Sequence, residues 1–511
     1  MTTVYSPLSF AKISEAMSLG LADLKLNDER FTELLRKLIG EAKGLQNNPP
    51  QGFIPRENNA SDHVLALLEP HKVENGGPLH VERVEFTDGR GNLVVRYPGA
   101  TEDSVAFVGS HLDVVPANPE GWERDPFELV VEGDKLYGRG TTDCLGHVAM
   151  ITDLLLALCE AKVALTRTLT VVFIANEENG EVEGIGVDAL MDTGKIDHIK
   201  SGPVMWIDCA DSQPCVGTAG AITWHLKAIG HLFHSGLPHK GINGLELAME
   251  ASKALQQRFY ADFPAHPSEA KYNFATPSTM KPTQMEMFQG SINQIPAWAT
   301  VSGDIRLTPF YEVKDVMAAV ERHVAELNAG ITYLDTRGPC SKYDLPGGED
   351  TPRGKLELVW GEHPMEGIAC SLDSEGFHAL KVSFINLLTV ELTARAGTRL
   401  VLSQPSTYPR RTHSLLVSTP ASLLLCCYLS IFCAALKDAT FDELGVATPY
   451  SICGSLPLVR DLQRGGFDIQ LTGFGRSDVY HADNEYCKLS DMQSGFKICC
   501  GIIGKLGGEA Q

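Results

Sequence analysis

Ser104-Val-Ala-Phe-Val-Gly-Ser-His-Leu-Asp-Val-Val115 joins an apolar run to two polar residues, His111 and Asp113, that packing alone does not explain. Such a run reads as a buried parallel strand that stops at the active-site edge of a sheet. The same shape recurs twice. Leu169-Thr-Val-Val-Phe-Ile-Ala175 runs into Glu177-Glu178, and Pro203-Val-Met-Trp-Ile207 runs into Asp208. Between the first two lies Gly146-His-Val-Ala-Met-Ile-Thr-Asp-Leu-Leu-Leu-Ala-Leu158, which reads as a crossover helix. Strand, helix and strand in this order predict an α/β fold, a mainly parallel sheet flanked by helices with its working residues at strand ends.

Two further residues join the set: Asp143 in Gly138-Arg-Gly-Thr-Thr-Asp143, and His481 in Tyr480-His-Ala-Asp-Asn-Glu485. Carboxylate oxygens and imidazole nitrogens together suit zinc or a similar divalent ion. His111, Asp143, the Glu177-Glu178 pair, Asp208 and His481 are too many for one tetrahedral ion. They suit two divalent metals that share a bridging carboxylate, with a spare glutamate to carry a proton. His111 and Asp113 lie two apart on an extended segment and point the same way. Asp113 is therefore expected to accept a hydrogen bond from the second ring nitrogen of His111 and fix its tautomer. Singly, each residue has an ordinary reading: a surface His-x-Asp pair, a solvated Glu-Glu turn, an aspartate in a glycine turn. Their joint placement at strand ends and glycine-rich turns favours a two-metal hydrolase.

A chain of 511 residues has ample core for two or three domains. The formal charge of −21, from 43 basic and 64 acidic side chains, argues against nucleic acid or an anionic membrane as partner. Its 13 cysteines include no Cys-x-x-Cys pair, as expected of reduced thiols in a cytoplasmic enzyme. Met1-Thr-Thr-Val-Tyr-Ser6 shows no basic stretch followed by a long apolar run, so no secretory signal is expected. A short organellar presequence stays open, with Glu15 and Asp23 counting against it. The catalytic segments fall into residues 1–217 and 372–511, and an inserted domain is expected over 218–371. There, strand-like Ala221–Ile229 and Trp298–Leu307 alternate with helix-like Gly244–Phe259 and Val313–Leu327, a small α+β lid. Phe86-Thr-Asp-Gly-Arg-Gly-Asn-Leu-Val-Val95 reads as a hairpin and not a nucleotide loop, because its glycines lack the spacing and the following helix. His231, His234 and His239 are candidates for a third metal site, though two of them as exposed loop histidines is the simpler reading.

From about Leu34 onward the chain resembles the metal-dependent amidohydrolases that include acetylornithine deacetylase, succinyl-diaminopimelate desuccinylase, aminoacylase and carnosine dipeptidase. The likeness is strongest to the plant-type acetylornithine deacetylases. It rests on Leu45-Gln-Asn-Asn-Pro-Pro50, Gly138-Arg-Gly-Thr-Thr-Asp-Cys-Leu-Gly146, Ala275-Thr-Pro-Ser-Thr-Met-Lys-Pro-Thr283 and His481-Ala-Asp-Asn-Glu-Tyr486. The resemblance implies His111 as a ligand of one metal and Asp143 as the bridge. Glu178, Asp208 and His481 complete the ligands, and Glu177 is the general base. It implies two zinc ions, with cobalt as the alternative, and a homodimer joined through the lid. His234, in Leu232-Phe-His-Ser-Gly236, matches an oxyanion-stabilising histidine supplied by the second subunit. Asn293 and Arg306 match residues that hold the substrate carboxylate. Leu145 departs from the lysine of the bacterial enzymes, and Asp211 competes with Asp208 as a ligand. The implied reaction is hydrolysis of an N-acyl amino acid, N2-acetylornithine first, with desuccinylase, aminoacylase or dipeptidase activity as alternatives. A metal-binding pseudoenzyme is disfavoured by the retention of Glu177 with every ligand.

Residues 382–437 do not fit this pattern. Glu391 is their only acid, and Ser414–Leu436 is uncharged and long enough to span a bilayer. Pro420 interrupts that run, and a single span there would part His481 from the earlier ligands, so a membrane-anchored protein is disfavoured. Lys381-Val-Ser can be encoded as AAG-GTG-AGT, a splice-donor sequence, and Ser422–Cys433 almost wholly in pyrimidines, as before an acceptor. Leu380-Lys381 also recurs as Leu436-Lys437. We read the segment as a translated intron. A chain lacking residues 382–437 is expected to be more soluble and more active than the full chain, since it sheds apolar surface. Sequencing the mature transcript is decisive: codons retained there, with equal solubility and activity of the two chains, would sink this reading.

Overall fold

A computed structural model describes residues 20–179, 182–347, 350–361, 363–396, 449–452, 454, 456 and 458–507. An eight-stranded sheet forms its centre, in the order β1-β2-β6-β3-β7-β16-β8-β15. These strands are β1 (His80–Glu85), β2 (Gly91–Tyr97), β3 (Gly99–Val108), β6 (Leu165–Phe173), β7 (Pro203–Cys209), β8 (Cys215–Thr218), β15 (Tyr450–Ile452) and β16 (Asp468–Gly473). The intervening β4 (Val130–Glu132) and β5 (Lys135–Tyr137) join β17 (Tyr486–Lys488) in a small antiparallel ribbon.

The sheet is mixed, with the expected parallel strands at its centre and antiparallel pairs flanking them. β6, β3, β7 and β16 run parallel at the centre. β1 and β2 form the expected hairpin, with Glu85 opposite Gly91, and β2 meets β6 antiparallel. A tight turn obliges antiparallel pairing, whereas a parallel neighbour needs a crossover long enough for a helix. That crossover is the helix Leu145–Ala161, buried along nearly its whole length.

Both faces of the central strands are covered, and alternation along each strand assigns its side chains. Phe107, Leu169, Val171 and Phe173 point into a core shared with the helices Asp28–Leu45, Leu145–Ala161 and Leu489–Gly507. Ala106, Val108, Val172, Val204 and Trp206 point into a second core with Val187, Leu190, Val459 and Leu462. Each large aliphatic side chain so buried contributes about 1.5–3 kcal/mol. At the end of β3 the chain turns at Gly109, whose φ is +95°. A Cβ there would lie 2.7 Å from the Trp206 ring, so only glycine lets β3 turn against β7 and deliver His111.

A second sheet, in the order β11-β13-β9-β14, is built from β9 (Gly220–Ile229), β11 (Thr279–Met287), β13 (Trp298–Leu307) and β14 (Lys355–Trp360). Its neighbours are all antiparallel. The helices Gly244–Asp262 and Val313–Ala329 share a core with it, through Leu247, Leu255, Phe259, Val316 and Val320 against Trp224, Leu226, Val301 and Ile305. β13 occupies the strand-like stretch read from the sequence, and β11 and β14 add strands that the sequence reading left out. A two-residue ribbon, β10 (Phe233–His234) with β12 (Gln294–Ile295), projects beside it.

The helix Glu375–Ala396 does not stop at Lys381, the residue before the suspect segment. Ser383 and Phe384 are buried, and Ser383 Oγ donates to the Ala379 carbonyl at 2.8 Å. Val382-Ser-Phe-Ile simply extends a pattern that a helix tolerates. Residues 397–437 of the segment, Ser414–Leu436 included, lie outside the described residues, as do Glu15 and the chain start. Among the described residues no helix is long and apolar enough to cross a membrane.

Candidate metal centre

The ligand-type residues meet at the C-terminal edge of the parallel strands. His111 follows β3 and pairs across a parallel bridge with Ile174, which leads into Glu177 and Glu178. Asp208 lies within β7, and Asp143 precedes the crossover helix. His481 arrives from the other end of the chain, in the turn before β17. Asp143 is shared between the histidines: Oδ1 lies 2.9 Å from His111 Nε2, and Oδ2 lies 3.0 Å from His481 Nε2. Asp208 Oδ1 stands 3.4 Å from His111 Nε2, and Glu178 Oε2 3.3 Å from His481 Nε2. Each histidine thus faces a private carboxylate and one oxygen of a common carboxylate, the layout of two cations joined by a bridge. Asp211 does not compete with Asp208, because its carboxylate takes the backbone N–H and hydroxyl of Ser477.

Asp113 plays a different part from the one its spacing suggests. The closest acceptor for His111 Nδ1 is the Asp113 backbone carbonyl at 2.8 Å, with carboxylate Oδ1 at 3.5 Å. That bond puts the proton on Nδ1 and turns the Nε2 lone pair toward Asp143 and Asp208. The buried carboxylate instead accepts the backbone N–H groups of Glu177 and Glu178, both at 3.1 Å, and Asn47 Nδ2 at 2.7 Å. Asp113 therefore sets the orientation of the glutamate pair as well as of His111.

The electrostatics call for cations. Burial and the negative charge of Asp208 push the Glu177 carboxyl well above its ordinary range. Burial, with Asp143 alongside, pushes Glu178 up to about 7, and burial pushes Asp208 up to about 6. Hydrogen bonds to Asp143 and Glu178 raise His481 to about 11. Burial opposes ionisation of Asp143 too, but hydrogen bonds from His111 and His481 outweigh it and hold this carboxyl below the usual range. Glu177 Oε1 and Asp208 Oδ1 are buried without a hydrogen-bond partner. Leaving such oxygens unmet is costly; a divalent ion would meet Asp208 Oδ1 and relieve the repulsion among the carboxylates, and a water would meet Glu177 Oε1. The donor chemistry fits that role. His111, Asp143 and Glu178 each offer an atom within 4.8 Å of the others, and so do His111, Cys144 and Asp208.

Cys144 was not singled out from the sequence. Its thiol lies 3.1 Å from His147 Nδ1, and His147 Nε2 accepts the Phe474 N–H at 2.8 Å, so the imidazole proton points at the sulfur. The sequence alone likewise gives Asn47 and Glu485 no role, although both stand in motifs that carry the family resemblance. Asn-Asn before Pro-Pro and the glutamate closing His-Ala-Asp-Asn-Glu were the available signals.

The residues assigned by resemblance outside the metal cluster lie elsewhere. A cavity of about 970 Å³ opens over Asp143, Glu177, Glu178, Asp208 and His481, and neither His234, Asn293 nor Arg306 lines it. His234 is exposed on β10, paired with Gln294, and the Asn293 carbonyl accepts the Ser235 N–H at 2.8 Å. Arg306 lies on β13 with Nε on Asp304 at 2.7 Å. His231 pairs with Ile242 and stacks near Phe233, while His239 is exposed. Among the described residues no metal-type cluster includes these histidines.

Residues 107–505 match peptidase family M20/M25/M40. An acetylornithine deacetylase of Arabidopsis thaliana is 48% identical over 483 residues, covering 94% of this chain and 96% of its own. The chain belongs to the M20 peptidase family. An acetylornithine deacetylase of Dictyostelium discoideum is 45% identical over 501 residues, 96% of this chain and 99% of its own. Among solved structures, the dipeptidase Dug1p of Saccharomyces cerevisiae shares the fold with a TM-score of 0.60 at 14% identity, over 97% of this chain and 99% of its own. Human carnosine dipeptidase 1 gives 0.59 at 15%, over 98% and 100%. As an M20 protein the chain is a metal-dependent amidohydrolase, and its two histidine-carboxylate groupings are the candidate sites for the divalent pair.

Replacing Glu177 by glutamine keeps size and removes the basic oxygen. Glu177→Gln is expected to retain its metal content while turnover falls roughly 100- to 10,000-fold. Asp143→Ala is expected to lose both metal and activity, since this one carboxylate would hold both ions. Metal analysis of each purified variant beside its turnover separates the two outcomes, and near-normal turnover of Glu177→Gln would overturn its role.

Proposed function

We propose that this protein hydrolyses the amide bond of N2-acetyl-L-ornithine, releasing L-ornithine and acetate. One observation carries the chemistry: Glu177 presents a buried, unpartnered carboxylate oxygen inside the cavity that the ligand-type residues line. When bound, the divalent pair supplies Lewis-acid activation of water and of the substrate carbonyl. Glu177 takes a proton from water as its oxygen adds to the acetyl carbon. It then delivers that proton to the departing nitrogen as the C–N bond breaks.

The substrate assignment draws on the likeness to the two acetylornithine deacetylases and on the cavity wall. Lys314 and Arg460 line it and suit an α-carboxylate, while Glu183 and Asp461 line it and suit the ornithine ammonium. Conversion of N2-acetylornithine, N-succinyl-diaminopimelate, N-acetylmethionine and carnosine by the zinc- or cobalt-loaded protein tests this reading. Acetylornithine is expected to give the highest kcat/KM, and a clear preference for another member of the panel would overturn it.

The working form is proposed to be a homodimer in which His234 serves the partner's site. His234 Nδ1 accepts the Gly236 N–H at 3.0 Å, which places the ring proton on Nε2 as an outward donor for a developing oxyanion. Its exposure on the β10 ribbon, away from its own cavity, suits delivery across an interface. Mixing inactive Glu177→Gln and His234→Ala subunits is expected to restore part of the activity, because mixed dimers contain one intact site. No recovery after proven subunit exchange would mean that His234 does not act in trans.

A further inference from the structure

Glu485 is fully buried, and its two carboxylate oxygens receive four donors. Oε1 accepts the backbone N–H of Thr142 at 2.8 Å and of Asp143 at 3.0 Å. Oε2 accepts the Gly140 N–H at 3.0 Å and Arg139 Nη1 at 2.7 Å. The Arg139 guanidinium, 5.3 Å from the Trp122 ring, also donates from Nη2 to the His481 carbonyl at 3.4 Å. Gly138 N–H donates to the Glu485 carbonyl at 3.0 Å, and Thr142 Oγ1 to the Tyr486 carbonyl at 2.8 Å. The turn bearing His481 is thereby laced to the loop bearing Asp143, although more than three hundred residues of chain separate them.

The two ends of the metal cluster depend on this lacing unequally. His111 is held by its own strand, by the Asp113 carbonyl and by the parallel bridge to Ile174. His481 has no such strand. It and Asn484 adopt left-handed backbone conformations, with φ of +56° and +59°. Residues other than glycine keep such conformations where their surroundings hold them there. We propose that Glu485 is a positioning residue that keeps His481 and the bridging Asp143 at metal-binding separation, so that it governs the ion on the His481 side. This rests on the two-metal reading above. The carboxylate is suited to the task because only an acceptor with two oxygens can receive donors on both sides. A glutamine would turn an NH2 group toward two of them.

The test is cobalt titration of the metal-stripped full-length protein, followed by calorimetry and by Co²⁺ visible absorption, without substrate. The unaltered chain is expected to take up two ions. Glu485→Gln is expected to bind one at unchanged affinity and the other about 10- to 100-fold more weakly, with activity recovered as cobalt is raised. Because this change leaves Arg139 buried without its counter-ion, the double variant Glu485→Gln/Arg139→Met is measured alongside, with thermal melts of both. The same selective weakening in whichever variant folds supports the proposal. Two ions at unchanged affinity in a folded variant overturn it. So does equal weakening of both sites that cobalt does not reverse, which marks a merely structural role. Failure of the unaltered chain to bind two ions overturns the two-metal reading instead, and this proposal with it.

Discussion

Asp143 offers one carboxylate oxygen to His111 and the other to His481, and the remaining geometry of the site is arranged around that sharing. Without cations, burial first and the neighbouring carboxylates second push the carboxyls of Glu177, Glu178 and Asp208 upward. With a divalent pair between them, the same crowding becomes the binding energy for the metals. The cluster is thus suited to divalent ions, and buried oxygens without a hydrogen-bond partner, on Glu177 and Asp208, lie within it.

The fold meets this constraint by spending its most rigid elements on the cluster. Three adjacent strands with both faces covered end at or near His111, Glu177 and Asp208. Gly109 against Trp206 sets how closely β3 approaches β7 at that edge. Around these lies a layer of supporting bonds: the Asp113 carboxylate under the glutamate pair, Asn47 under Asp113, and Tyr480 donating to the Asp208 carbonyl at 2.9 Å. Arg90, in a buried ion pair with Glu57, also donates to Asn176 at 3.0 Å, just before the Glu177-Glu178 pair. Removing a partner from such a pair typically costs about 3–5 kcal/mol, so changes remote from the metals can still disturb them.

Much of this was legible in the sequence because it is written in local pattern. The three apolar runs ending in His111, Glu177 and Asp208, the crossover helix and the hairpin around Gly89 each depend on neighbours within a few residues. The same locality misled in one place. His111 and Asp113 look like an imidazole-carboxylate pair by spacing, yet the carbonyl of Asp113 is nearer and its carboxylate serves Glu177 and Glu178. The strand-end pattern holds for the parallel centre of the sheet, while strand direction at the β1-β2 edge follows from the short turn that connects them.

The sequence by itself determined the kind of chemistry. Residue types settle which donors are available, and the strand-end pattern settles that they gather at one edge. Tertiary structure alone decided the pairing: that Asp143 lies between two histidines from opposite ends of the chain, that Asp208 and not Asp211 faces the site, and that Glu485 laces the distant turn to the bridge. It also placed His234 on an exposed ribbon away from its own cavity. The physical reason is common to all of these. Hydrogen-bond and ion-pair partners far apart in the chain are chosen by packing of whole elements, and no local periodicity records which of several equivalent carboxylates that packing will bring within 3 Å of an imidazole.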